Sequence, residues 1–171
     1  MAVVSTNKFL GQSRAAWRRW LRVPPGLRLV NFFFQRILRL NAGVPCAVHF
    51  TSRVVRPERL TLGEGVERSF AVSGGCYFQA GNGIEIGGGT IFGPGVRVIS
   101  ADHDMANGAT WKPTRPIRIG RDCWIGASAI ILSGVELGDR VVIGAGAVVT
   151  RDVPADSVAV GNPAKVISVR G

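Results

Sequence analysis

Residues 117–167 read IRIGRDCWIGASAIILSGVELGDRVVIGAGAVVTRDVPADSVAVGNPAKVI, and they repeat every six residues. Stepping by six from Ile119 meets Ile125, Ile131, Leu137, Ile143 and Val149, all aliphatic. Glycine follows four of these as Gly120, Gly126, Gly138 and Gly144. Four positions after each aliphatic stand Cys123, Ala129, Val135, Val141, Ala147 and Val153, all small or β-branched. This spacing suits a chain that turns three corners per coil: each flat face buries one aliphatic, and the residue four positions on fills the corner. A helix is excluded, because its period is 3.6 and each interior glycine costs about 1 kcal/mol. A two-sided sandwich requires alternation at two, which is weak here.

Upstream the same period returns in another frame, through Leu62, Ile86, Phe92 and Val98, with Val66, Val72, Phe78, Ile84, Thr90 and Val96 at the corner positions. Val44, Val48, Phe50, Val54 and Leu60 extend it backwards, while Arg56, Arg68, Gly74 and Ala80 break it. Val98 and Ile119 are 21 residues apart, so an interruption is expected at about 101–117. The chain has 171 residues and 23 glycines, about 13% against the usual ~7%, without the strict triplet of collagen.

The net charge of +10 is uneven. Residues 1–43 hold Lys8, Arg14, Arg18, Arg19, Arg22, Arg28, Arg36 and Arg39 and no Asp or Glu, whereas residues 44–171 are nearly neutral. The chain therefore divides into a basic N-terminal segment, 1–43, and a repeat domain, 44–171, ending in a short tail. Within the first, Ser13–Arg22 and Gly26–Leu40 read as helices split by Pro24 and Pro25. Leu27, Val30, Phe33, Phe34, Ile37 and Leu38 form an apolar stripe on the second. Three roles are open: a cap over the open end of the repeats, which is favoured; a basic amphipathic helix on an anionic membrane surface; or contact with nucleic acid, for which no recognised module is present.

Cys46, Cys76 and Cys123 are an odd number without metal-site spacing, so neither a disulfide framework nor a zinc cluster is expected. No 18-residue apolar run and no signal-peptide pattern is seen, and the expected location is cytoplasmic, with membrane-surface contact through residues 1–43 kept open. Only two histidines exist. His49 reads as a surface or structural residue. His103, in ISADHDM at the start of the interruption, sits where loops leave a rigid scaffold.

The repeats resemble those of the hexapeptide-repeat acyltransferases, most strongly over 117–167 and more loosely from 44 to 167, and within that family the sugar and polysaccharide O-acetyltransferases. The resemblance implies an all-β fold, a left-handed parallel β-helix with an N-terminal helical segment and one extruded loop. It implies an acetyl-CoA-dependent O-acetyltransferase acting on a sugar hydroxyl as a homotrimer, without a metal or nucleic acid. His103 then matches the family's general base, whose pKa near neutrality suits that task.

Asp102, Asp104 or Glu85 could orient the imidazole, as could a backbone carbonyl; Glu85 is expected to stack near His103, one coil away. Tyr77, Gln79, Asn82 and Trp111 are acceptor-binding candidates. Asn82 matches the later asparagine of a family Asn-x-Asn pair, with Ala80 at the earlier position, and reads equally as a turn residue. Trp111 reads as a sugar platform or a loop anchor. Trp124, Gly126, Ala127, Ala145, Thr150, Arg151 and Lys165 match the family's cofactor groove, the cations facing phosphates. Cys76 and Cys123 read as structural. The rival readings are a small-metabolite, antibiotic or amino-sugar acetyltransferase, a metal-dependent β-helix enzyme lacking its third histidine, and a non-catalytic scaffold.

Overall fold

The computed structural model describes residues 23–103 and 111–169. The expected helix at Ser13–Arg22, the side chain of His103, Asp104 and the tip of the extruded loop lie outside the described residues.

The period of six becomes short strands on three parallel sheets. The first stacks β1 (Arg53–Val55), β3 (Tyr77–Gln79), β6 (Arg97–Ile99), β11 (Ile130–Ile131) and β14 (Val148–Val149). The second holds β2 (Leu60–Leu62), β4 (Ile84–Ile86), β9 (Ile117–Ile119) and β12 (Glu136–Leu137). The third holds β5 (Ile91–Phe92), β10 (Trp124–Ile125), β13 (Val142–Ile143) and β15 (Ser157–Gly161), and β16 (Ala164–Val169) closes it antiparallel to β15. Chain order visits the three sheets in turn, so the chain winds as a parallel β-helix.

Inward residues stack in register, as Phe78 on Val98, Val98 on Ile131 and Ile131 on Val149. The core is this aliphatic column, with a Phe70–Phe78–Phe92 cluster (centroids 4.6–5.1 Å apart) at its early end. Glycine is required where corners approach closely: a Cβ on Gly126 would lie 2.5 Å from the Ala145 amide nitrogen.

Two expectations are corrected. The six-residue spacing puts Val72 at an inward corner, but it is exposed, and Phe70 fills the core instead. The reason is helix α2 (Glu67–Val72), which replaces a strand of the third sheet in the first coil and accounts for the broken frame around Arg68 and Gly74. Second, helix α1 runs Pro25–Phe32 and widens into a single π turn, Phe33–Ile37, rather than continuing to Leu40. It does sit on the first coil, but not through the apolar stripe. Its buried residues are Asn31 and Gln35. Asn31 donates to the Ala71 carbonyl (2.9 Å) and accepts from the Phe50 amide (3.0 Å). Gln35 donates to the Cys46 carbonyl (2.9 Å) and accepts from the Val48 amide (3.2 Å). The end of a parallel stack presents unpaired backbone groups, and amide side chains satisfy them where hydrocarbon cannot. Of the stripe, Leu27 and Phe34 are half-buried and Val30, Phe33, Ile37 and Leu38 face solvent.

Candidate active site

The interruption after Ser100 is a hairpin, β7 (Asp102–His103) paired antiparallel with β8 (Trp111–Lys112), which leaves the corner between the first and second sheets. His103 registers with Trp111. Polar groups pin both ends of this hairpin to the rigid coils. Asn82 directs its two amide N–H bonds at three oxygens: the carbonyls of Ser100 (3.0 Å) and Lys112 (2.9 Å) and the Thr114 hydroxyl (2.9 Å). Gln79 accepts from the Ala101 amide (3.1 Å) and, through its carbonyl, from the Ser100 hydroxyl (2.8 Å). Asp102 accepts the hydroxyl of Ser133, one coil further on. Arg115 donates to the Gly134 carbonyl and grips both Asp152 oxygens, each at 2.6 Å. That grip and the Glu136 amide hold the Asp152 carboxyl below its usual range, and the same pairing raises Arg115.

Trp111 packs edge-on over Gly81, where a Cβ would meet the ring at 2.7 Å, and the Arg56 guanidinium sits 5.2 Å from a ring centroid. Tyr77 stands on the outward side of the first sheet, flanked in register by Arg53 and Arg97. Of the acceptor candidates, then, Asn82, Gln79 and Trp111 gather at the hairpin's root and Tyr77 stands two residues upstream. Asn82 does not adopt the left-handed backbone expected of a turn; Gly83 does, at φ 98°.

The expected stacking of Glu85 near His103 is corrected. Glu85 registers with Thr61 on one side and Arg118 on the other, and it pairs with the Arg118 guanidinium at 3.2 Å. The hairpin inserts between β6 and β9, so the coil partner of 85 lies 33 residues on, beyond the loop. Ser133, Arg115, Asp152 and Arg56 complete the site's support and were not singled out from the sequence. Their short-range context, a Ser-Gly corner and isolated arginines, carries no signal of partners so far along the chain.

Of the cofactor-groove candidates, four share one edge. Trp124 is 56% exposed on the third sheet between Ile91 and Val142. Just beyond it the Gly126 amide donates to Ile143 (2.8 Å), and Gly146 donates to the Ala127 carbonyl (2.8 Å), bringing Ala145 over Gly126. Thr150 and Arg151 lie past β14, at the corner stack that also bears the hairpin, no more than roughly 20 Å of chain from Ala145. Lys165 is exposed on β16, opposite Val160. An open cleft of about 570 Å³ adjoins this edge at Ile91, the register neighbour of Trp124; Glu64, Arg68 and Arg121 also line it, and none of these candidates does.

Cys76 and Cys123 are buried and Cys46 is half-buried, and desolvation is the main cause that raises all three thiols, Cys46 to about 12. Cys123 points to the Gly138 and Arg121 carbonyls. His49 bonds the Thr51 hydroxyl (2.8 Å), stacks on Phe50 and is lowered by burial. Among the described residues no three His, Cys, Asp or Glu side chains converge as a metal site, and no helix is long and apolar enough to cross a membrane.

Comparison with known proteins agrees with this geometry. Residues 116–151 match the hexapeptide repeat of succinyl-transferase. The structure superposes on a maltose O-acetyltransferase from Clostridium difficile with a TM-score of 0.58 and 27% identity, covering 93% of this chain and 90% of that one. Residues 116–151 thus carry the hexapeptide repeat, and the chain as a whole is similar to hexapeptide-repeat acetyltransferases. The fold is a left-handed parallel β-helix, as in this neighbour. A hexapeptide-repeat acetyltransferase from Vibrio cholerae, solved with acetyl coenzyme A, superposes with a TM-score of 0.53 and 25% identity over 90% of this chain and 84% of that one. A candidate acetyltransferase of Schizosaccharomyces pombe is 40% identical over 103 residues, 58% of this chain and 50% of that protein. The chain thus spans about half the length of that relative.

Proposed function

We propose that this chain is an acetyl-CoA-dependent O-acetyltransferase acting on a sugar hydroxyl, with His103 as general base. The observation that carries the proposal is the hairpin: the histidine that matches the family's base stands on a segment pinned at both ends to rigid coils. Such pinning is what a base requires, since misplacement by about 1 Å can cost 10²-fold in rate. The relatives' names support acetyl transfer, and the Vibrio cholerae structure supports acetyl-CoA as donor.

In the proposed reaction the acceptor hydroxyl gives its proton to the His103 imidazole as its oxygen bonds to the thioester carbonyl carbon. The tetrahedral intermediate collapses, the carbon–sulfur bond breaks, and the imidazolium returns its proton to the departing CoA sulfur. The products are an acetyl ester and CoA, with no covalent enzyme intermediate. Asp102 hydrogen-bonds Ser133 and so anchors the strand that bears the base. Trp124 and the Gly126, Ala127 and Ala145 edge receive the pantetheine arm, and Arg151 and Lys165 the phosphates. The exposed position of this edge fits a groove closed by a second subunit of a cytoplasmic homotrimer.

The test is a screen of nucleotide sugars, lipid-linked sugars and short polysaccharide fragments, following CoA release with a thiol reagent. A hydroxylamine-sensitive ester product from a sugar confirms the reading. An amide product transfers it to amino sugars. CoA release with no acceptor in the screen, or no acetyl-CoA binding, overturns it, and so does a monomer that turns over.

A further inference from the structure

The face of α1 that looks outward is apolar, and the face that looks inward is amide. Leu29 is 70% exposed, Phe32 56% and Ile37 61%, with Phe33 and Leu38 about half exposed beside them. Such a cluster of large hydrocarbon side chains on one short element is uncommon on a surface that meets only water. The helix cannot turn these residues inward without releasing Asn31 and Gln35, whose amides satisfy the Ala71, Phe50, Cys46 and Val48 backbone groups. The exposure is therefore built into the docking of the helix.

Charge selects the partner. Arg36 and Arg39 are exposed on the same segment, and residues 1–43 contain eight cations and no carboxylate. A second copy of this face, or residues 1–22 of the chain itself with Lys8, Arg14, Arg18, Arg19 and Arg22, would set cation against cation. An anionic lipid surface supplies the opposite charge and a hydrocarbon boundary together. No described helix is long and apolar enough to span a bilayer, so the contact lies in the interface plane. We infer that the outward face of residues 29–38, with Arg36 and Arg39, seats this protein on anionic membrane, its aromatic and aliphatic side chains in the headgroup boundary. This inference is independent of the chemistry proposed for the hairpin.

The experiment is co-sedimentation of the full chain with vesicles of phosphatidylcholine mixed with phosphatidylglycerol, against phosphatidylcholine alone. Binding to the anionic vesicles that added salt releases is expected. The variant Phe32→Glu/Ile37→Glu should lose it, and Arg36→Gln/Arg39→Gln should weaken it by about thirtyfold, since each surface cation contributes roughly a fivefold factor. Both variants should keep the wild-type melting temperature and solution mass, because these side chains already face solvent. Absence of wild-type binding overturns the inference. Unchanged binding by Phe32→Glu/Ile37→Glu also overturns it, placing the contact in residues 1–22 alone. A fall in solution mass in that variant overturns it in favour of a contact between subunits.

Discussion

The Asn82 amide lies 2.9 Å from the Thr114 hydroxyl, and these residues, 32 apart in sequence, clamp the two ends of the hairpin that bears His103. The same amide holds the carbonyls of Ser100 on the outgoing strand and Lys112 on the returning one. Asn82 thus acts on the geometry of the hairpin's root. Its removal should cost about 1–2 kcal/mol and lower the melting temperature by about 2–8 °C. Asn82→Asp should be worse than Asn82→Ala, because a carboxylate would face two carbonyl oxygens. Both variants should lose kcat more than acceptor affinity. An Asn82→Ala variant with wild-type melting and only a raised acceptor KM would make Asn82 an acceptor ligand instead.

For the base, His103→Ala should reduce kcat by about 10²–10⁴ with little effect on the KM for acetyl-CoA. Steady-state kinetics with acceptor and donor varied separately read both values. Turnover near wild type would remove the assignment.

The Arg115–Asp152 pair gives a pH signature. Asp152 is held below its ordinary value of 3.8, first by the hydrogen bonds from Arg115. A depressed carboxyl stabilises the fold above its unfolded pKa, and the contribution is lost as pH falls through the folded value. Both partners are exposed, so the effect is small and screened by salt. The melting temperature of the wild type should exceed that of Asp152→Asn at neutral pH, and the gap should close below about pH 4. A gap that persists into acid would show that the charge of Asp152 is not what holds the hairpin's return.

The buried thiols should be chemically quiet. Native protein should react slowly with a thiol reagent at neutral pH, since burial keeps Cys76 and Cys123 protonated. Cys123→Ala should retain turnover. Loss of activity with an intact melting transition would point to a covalent acetyl-thioester route.

Arg151→Ala and Lys165→Ala should each raise the KM for acetyl-CoA, most clearly at low salt, because each removes an exposed cation from the proposed phosphate subsite. Unchanged KM in both would move the phosphates elsewhere, the first place to look being the cleft beside Arg68 and Arg121.

The six-residue period alone determined that the chain coils, which residues face inward from 117 to 153, and that the coil is interrupted near 101–117. These are local properties: each aliphatic meets its own corner whatever lies above or below. The alignment of one coil on the next is not local. Once the hairpin is inserted, Glu85 faces Arg118, and arithmetic in steps of six puts it in the wrong place. Only the tertiary structure decided that Asn82 bridges Ser100, Lys112 and Thr114, that Ser133 receives Asp102, and that Arg115 reaches Asp152, because those partners meet through coil stacking across a corner. It also decided which face of α1 is buried. An apolar stripe predicts an inward hydrocarbon face, but the stack's end offers bare backbone N–H and C=O groups. Leaving such groups unpaired costs more than leaving leucine and phenylalanine in water, so Asn31 and Gln35 took the inside.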